Sequence, residues 1–262
     1  MEWWEELYDD IRMREMFEKI PKGRTEAQVN FVEKVCSLKK RAKILDLGCG
    51  WGRHSIELAK RGYKVTGLEI NPSYIKEAKK RASSAEVAID FVEKDMRKIS
   101  FKEEFDAIVL LWNSFGYFSD EENENLIKNI YKALKRGGCF LLEIINRDWI
   151  VRHFTSKNWQ MLDDTCEFVR FEIPAVDRTG VPTFILEERK FIPEESRVKG
   201  KLTYIQGNRR IEKTTNFRFY SFHEIRAIFE SAGFKETQGY GSLEETPIEL
   251  DTHLMEIIGR KL

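Results

Sequence analysis

Between residues 43 and 145 the chain alternates short apolar runs with stretches of helical periodicity. Ile44–Leu47, Tyr63–Leu68, Val87–Val92, Phe105–Leu111 and Cys139–Ile145 are strand-length runs bounded by polar residues, as expected of strands covered on both faces. The segments between them are helical in pattern. One helix continues through Ser55–Lys60, and another begins near Pro72, a good first-turn residue, with Tyr74, Ile75, Ala78 and Ala82 on its apolar face. A third opens at Asp120-Glu-Glu-Asn123 and closes with Lys132, Lys135 and Arg136 before Gly137-Gly138, a charge order that suits the helix dipole. The pattern predicts βαβαβαβαβ, an α/β fold with a parallel sheet.

The flanks follow other patterns. Residues 2–37 read as helical, with Trp3, Trp4, Leu7, Ile11 and Met16 near helical spacing and Thr25-Glu-Ala-Gln28 resembling a capping box that opens a second helix. Trp3 and Trp4 fit either a core pair or a lid over a bound ligand. From Asn146 to Phe219 the helical period fades. Alternating stretches at Cys166–Ile173, Thr183–Ile192, Val198–Ile205 and Ile211–Phe219, separated by turn residues, predict an antiparallel sheet inserted after strand five. Ser221-Phe-His-Glu224 then caps a helix carrying Ile225, Ile228 and Phe229, and two closing strands follow, one from Phe234 and one at Leu254–Ile258. The expected division is a helical lid segment at 1–42, an α/β core at 43–145 and 220–262, and a substrate-capping β insert at 146–219.

The chemistry concentrates where the first strand ends. Ile44-Leu-Asp-Leu-Gly-Cys-Gly-Trp-Gly-Arg53 runs a strand through a glycine turn into a helix, whose free N–H groups suit an anionic or polar ligand. The dinucleotide spacing G-x-G-x-x-G would need glycine at position 53, where this chain has Arg. Glu69 stands at the tip of the second strand, roughly twenty residues beyond the turn, where a carboxylate can accept from a ribose diol. Asp95 and Met96 follow the third strand, and Trp112-Asn-Ser-Phe-Gly-Tyr-Phe118 follows the fourth.

Together these motifs resemble the class I S-adenosylmethionine-dependent methyltransferases, over about two thirds of the chain. The resemblance implies a Rossmann-like, seven-stranded, mostly parallel sheet closed by a late hairpin, with S-adenosyl-L-methionine as cofactor. It places cofactor contacts at Asp46, Gly48, Cys49, Gly50 and Gly52, at Glu69 and Ile70, at Asp95 and Met96, and at Leu111 and Asn113. Asp95 would accept from the adenine amino group while Met96 packs on the ring. Arg24, Thr25 and Tyr8 could reach the carboxylate end of the cofactor.

Composition narrows the partners. Forty-four basic and forty-four acidic residues balance, so net charge favours neither nucleic acid nor an anionic membrane. Cys36, Cys49, Cys139 and Cys166 form no C-x-x-C pair, and the four histidines show no ligand spacing. No metal is expected. No apolar run is long enough to span a bilayer and the acidic start is unlike a signal peptide, so a cytoplasmic enzyme is expected.

The expected activity is methyl transfer by in-line displacement to a small-molecule acceptor. Asn113 is the expected positioning residue, and Tyr117 and His153, then His54 and Tyr220, are candidates for a base. Asn113-Ser-Phe-Gly116 departs from the N-P-P-Y of enzymes that methylate planar nitrogens, and the loop lacks an acidic metal ligand. An RNA or protein acceptor would instead use Lys199, Lys201, Arg209, Arg210 and Lys213 with Tyr204 on the insert. The motifs also admit a non-catalytic S-adenosylmethionine-binding module and, less readily, a nicotinamide dehydrogenase. Oligomeric state is not legible.

Overall fold

The apolar runs become the strands of a seven-stranded sheet in a computed structural model that describes residues 2–7, 20–161 and 183–262. Strands β1 (Lys43–Leu47), β2 (Lys64–Glu69), β3 (Asp90–Glu93), β4 (Phe105–Leu110) and β5 (Leu134–Ile145) are parallel, and β10 (Lys235–Tyr240) and β11 (Leu254–Arg260) close the sheet antiparallel. The spatial order is β10-β11-β5-β4-β1-β2-β3. The expected α/β class, parallel core and late hairpin are all present. Because β1 has β2 on one side and β4 on the other, the connections diverge beyond their carboxyl ends. Such a switch point opens the crevice in which α/β sheets take ligands.

Each helix starts where its local sequence allows. Asn71 caps the helix Pro72–Ser84 by accepting from Ser73 N, and Ser119 and Ser221 form capping boxes with Glu122 and Glu224. The box expected at Thr25–Gln28 is absent. Helix Arg24–Val35 begins two residues earlier, on Gly23 at φ +83°, and makes no side-chain cap. Thr25 Oγ1 instead accepts from Arg53 Nη1 at 3.0 Å. The helix after β4 also stops earlier than its charge pattern implies, at Ala133, because Leu134 is wholly buried and pairs with Phe105 of β4.

One face of the sheet packs Ile44, Val109, Leu141 and Ile258 against Val29, Val32 and Val35 of helix Arg24–Val35 and Leu58 of helix Arg53–Lys60. Cys36 and Cys139 meet within this core, both buried, with their sulfurs 2.7 Å apart, a juxtaposition that sequence spacing could not reveal. Lys22–Ile150 with Tyr220–Leu262 form one compact unit.

The second unit draws on Met1–Pro21 and Val151–Phe219. Its described part is a four-stranded antiparallel sheet ordered β6 (Lys157–Met161), β7 (Thr183–Ile192), β8 (Arg197–Gln206) and β9 (Arg209–Arg218). Helix Trp3–Leu7 packs on it. Leu7 is buried with Ile185, Leu202 and Tyr204, Trp3 meets Phe217 edge-on at 4.6 Å, and Lys213 Nζ donates to Glu6 O. Tyr8, Ile11, Met16 and the strand expected at Cys166–Ile173 lie outside the described residues.

Leu58→Ala, which empties a fully buried position between helix and sheet, should cost about 2–5 kcal/mol in urea unfolding. Lys128→Ala, on the exposed flank of helix Asp120–Ala133, should stay within about 0.5 kcal/mol of the parent.

Candidate functional site

At the end of β1 the backbone turns through Gly48, Gly50 and Gly52, all with positive φ, and Gly52 is the N-cap of helix Arg53–Lys60. Gly48 shows what the turn requires. At φ +63°, a Cβ there would meet Met96 Cε at 3.3 Å and Ser114 at 3.5 Å, so a side chain would be strained and would occupy the space between turn and neighbouring loops. Leu68 O accepts from Cys49 N, which ties the turn to β2.

Glu69 completes that tie. Its carboxylate is 9% exposed, with Oε2 accepting from Gly50 N at 3.1 Å and Oε1 from Ile70 N and Asn71 N at 2.8 and 3.0 Å. Burial raises its pKa, and the three backbone donors pull the other way. A carboxylate has about four lone-pair sites, so acceptor capacity remains on Oε2. Ile70 is 37% exposed at the rim.

Asp46, beneath the turn, is 2% exposed and accepts from Ser55 Oγ at 2.6 Å. Burial raises its pKa to about 6, against the opposing bond from Ser55 and the charge of Arg53. Cys49 is buried, and its thiol pKa is pushed up by that burial and by the charges of Asp46 and Glu69.

After β3, Asp95 caps the 3-10 turn Met96–Lys98. Both of its oxygens accept from Arg97, at 2.7–3.2 Å. Burial opposes ionisation there, but the Arg97 hydrogen bonds outweigh it and hold the carboxyl below its ordinary value. The acidic side chain is therefore anchored within its own loop. Its neighbour Met96 is the residue that reaches the glycine turn.

The loop after β4 is the most constrained part of the site. Trp112 and Asn113 both adopt left-handed backbone, at φ 63° and 55°, a costly arrangement for two successive non-glycine residues. The loop is pinned to β5, with Trp112 N donating to Glu143 Oε1 at 2.9 Å, Asn113 N to Glu143 O, and Ile145 N to Asn113 Oδ1 at 3.0 Å. Asn113 thus uses its side-chain oxygen to hold the loop. Leu111 is buried, and its carbonyl accepts from Ser114 Oγ.

Several residues at this edge were not legible as a group. Arg53 stacks over the Trp112 ring at 4.5 Å and donates through Nη1 to Gln28 Oε1 and Thr25 Oγ1. Its Nη2 is buried and makes no hydrogen bond among the described residues. Burial draws its pKa down to about 10, which leaves it charged near neutrality. Gln28 in turn donates to Glu143 Oε2 at 2.7 Å, and Arg24 Nη2 lies 3.9 Å from the same oxygen. The available signal was a glutamate inside the apolar run Cys139–Ile145.

The base candidates scatter. His54 is buried against Gln28 Oε1 at 3.0 Å, and burial with the nearby charges of Arg53 and Arg24 pulls its pKa well down, so it is neutral. The Tyr220 hydroxyl accepts from Asn123 Nδ2, and Tyr117 is half-buried, edge-on to Phe118. His153 is exposed and belongs to the unit that holds the antiparallel sheet. The basic set on that sheet does not form one face. Register puts Lys199, Lys201 and Arg210 on one side and Tyr204, Arg209 and Lys213 on the other. Lys201 and Arg210 pair with Glu212, Lys199 with Glu195, and Tyr204 and Lys213 are buried.

Residues 44–138 match the family model for a methyltransferase domain. The chain is 30% identical over 147 residues to YqeM of Bacillus subtilis (strain 168), a protein named as a candidate methyltransferase, covering 55% of this chain and 59% of that one. It is 27% identical over 168 residues to the glycine/sarcosine N-methyltransferase of Aphanothece halophytica, covering 58% and 63%. It thus spans about three fifths of the length of these curated relatives. Among solved structures, S-adenosylmethionine-bound CalS10, an amino pentose methyltransferase from Micromonospora echinaspora, aligns with a TM-score of 0.67 at 19% identity, over 97% of this chain and 98% of that one.

The buried Asp46 gives a pH test. With a folded pKa near 6 and an ordinary unfolded value, the folded state holds this proton more tightly, so stability from this group falls as pH rises between the two values. Asp46→Asn removes that loss. The stability difference between Asp46→Asn and the parent should shift in favour of the variant from about pH 4 to about pH 7, by ~1.4 kcal/mol per unit of pKa difference, measured by urea unfolding at each pH. A pH-independent difference would contradict the burial of an ionisable Asp46.

Proposed function

We propose that the chain carries a class I S-adenosylmethionine-dependent methyltransferase domain, as the family match at residues 44–138 supports, and that it transfers the methyl group of its cofactor, S-adenosyl-L-methionine, to an amine nitrogen of a small molecule. The observation that carries the reading is the cradle at the switch point. There the positive-φ turn Gly48–Gly52 and the buried Glu69 carboxylate are locked together by Gly50 N, with Met96 and Ser114 closing on Gly48.

The residues present fit the group. Glu69 would accept from the ribose hydroxyls through Oε2, and Met96 would pack on the adenine. Arg53, with a buried Nη2 that has no hydrogen-bond partner among the described residues, would hold the carboxylate, aided by Arg24. Asp46 and Ser55 would support the turn from below, with Cys49, Gly52 and Ile70 along its wall. Leu111, Asn113 and Ser114 would face the reacting end.

When bound, the cofactor supplies an already activated methyl sulfonium. The protein need only align an acceptor in line and exclude water. Asn113 serves this by fixing the loop, and Tyr117 and His153 remain candidates to take a proton. The domain division proposed is a core at 43–145 and 220–262 that binds the cofactor, with helix Arg24–Val35 packed on it in place of a lid reaching to residue 42, and an insert at 146–219 that carries the choice of acceptor. An amine acceptor is supported by the named substrates of the Aphanothece and Micromonospora proteins. The split and ion-paired basic set on the insert favours a small molecule over RNA or protein.

Glu69→Ala should weaken S-adenosylmethionine binding roughly ten- to a hundredfold, the loss of charge-assisted hydrogen bonds of about 1.5–3 kcal/mol. The Asp95→Ala loss should be smaller, since that carboxylate is already held by Arg97. A folded Glu69→Ala that binds like the parent would refute the assignment. Methylation of amines, in a screen against matched alcohols and thiols, tests the acceptor class.

A further inference from the structure

Two glutamates face each other inside the sheet. Glu143 of β5 and Glu256 of β11 are direct register partners, 1% and 2% exposed. Side chains directly opposite on antiparallel strands share a face and stand close, so these two buried carboxyl groups are neighbours inside the sheet. Two carboxylates cannot share a hydrogen bond without a proton between them. Two buried like charges in contact would also be strongly unfavourable.

The donors around the pair decide where the proton sits. Glu143 already accepts twice, Oε1 from Trp112 N and Oε2 from Gln28 Nε2, and Arg24 faces it at 3.9 Å. Arg53, whose charge also acts on Glu143, and neutral His54 approach through Gln28. Glu256 has none of these donors. Its Oε2 is buried without a hydrogen-bond partner among the described residues, which a neutral carbonyl oxygen tolerates far better than a carboxylate oxygen does. Tyr240, its register partner on β10, donates its hydroxyl to Gln238 instead. Burial, then the charge of Glu143, push the Glu256 pKa well up, against the weaker pull of Arg24.

We infer that Glu143 and Glu256 hold a single proton, carried by Glu256, and that Glu143 is a positioning residue that fixes the Trp112–Ser114 loop to helix Arg24–Val35. The acid pair sits behind the loop. Glu256 donates to Glu143, which removes the like-charge repulsion between them and leaves Glu143 free to keep its bonds from Trp112 N and Gln28. That orients two consecutive left-handed residues that would otherwise relax. Gln28 carries the constraint on to Arg53, and through it to the Trp112 ring. The proton placement stands on these contacts alone. The effect on ligand affinity rests on the cofactor reading above.

The test separates the two. Infrared difference spectra of the full chain at about pH 8, well above ordinary carboxyl pKa values, should show a protonated carboxylic-acid carbonyl band in the parent that is lost in Glu256→Gln. No such band, or one that persists in Glu256→Gln, would overturn the shared proton. Positioning is read by amide hydrogen exchange in a peptide covering Trp112–Ser114. Exchange should rise roughly tenfold in Glu143→Gln, which sets an amide against the Gln28 amide, and stay near the parental rate in Glu256→Gln. The double variant Gln28→Glu with Glu143→Gln, which reverses donor and acceptor, should restore protection.

Calorimetric affinity for S-adenosylhomocysteine should follow the same order. Unchanged loop exchange in Glu143→Gln, or no rescue by the exchange of the two residues, would overturn the positioning role. If Glu143→Gln does not fold, Gln28→Ala, which removes one donor on the helix surface of the network, should raise loop exchange in its place, and failure to do so would count equally against it. A parent that shows the band and the loop protection but binds no S-adenosylhomocysteine would refute the cofactor reading and leave the acid pair standing.

Discussion

The hydrogen bond from Gly50 N to Glu69 Oε2 joins the two halves of the cradle. It adds to the bond from Cys49 N to Leu68 O, which already ties the turn after β1 to β2. Glu69, 9% exposed, is held by three backbone donors, which oppose the rise in pKa that its burial causes. The strand register follows the same demand. Asp46 pairs with Gly67 and Leu47 with Leu68, so the turn and Glu69 arrive at the same level of the sheet. Gly67 also keeps the gap clear, since a Cβ there would press on Phe91 at 2.8 Å.

Around that cradle runs a second polar layer, at the carboxyl ends of β4 and β5 and the amino end of the antiparallel β11. Its members come from distant parts of the chain: Arg24 and Gln28, Arg53 and His54, Trp112 and Asn113, Glu143 and Glu256. Each is paired within a core that is otherwise apolar, as buried polar groups must be. This explains why helix Arg24–Val35 packs on the α/β sheet. The helix supplies apolar residues to the sheet face and two polar residues to the network.

Much of the fold was legible because its signals are local. Continuous apolar runs mark the parallel strands, and Ser221–Glu224 and Asn71-Pro72 announce helix starts that the structure confirms. The turn at Gly48–Gly52 and its distance to Glu69 were likewise readable. Other features depend on non-local partners. Thr25 looked like a cap but bonds Arg53, and the cation set on the insert looked continuous until register split it between two faces. Glu143 and Glu256 each interrupt an apolar strand with a charge. That oddity was visible, but only pairing of β5 with β11 shows that the two acids meet.

The central claim is that the cradle between β1 and β2 holds S-adenosylmethionine. The most direct measurement is calorimetric titration of the purified chain with S-adenosylmethionine and, separately, with S-adenosylhomocysteine, in the parent and in Gly50→Val. The account predicts one-to-one binding of both ligands by the parent and loss of both in a folded Gly50→Val. Absence of binding of either ligand to the parent, or full binding by the variant, would contradict it.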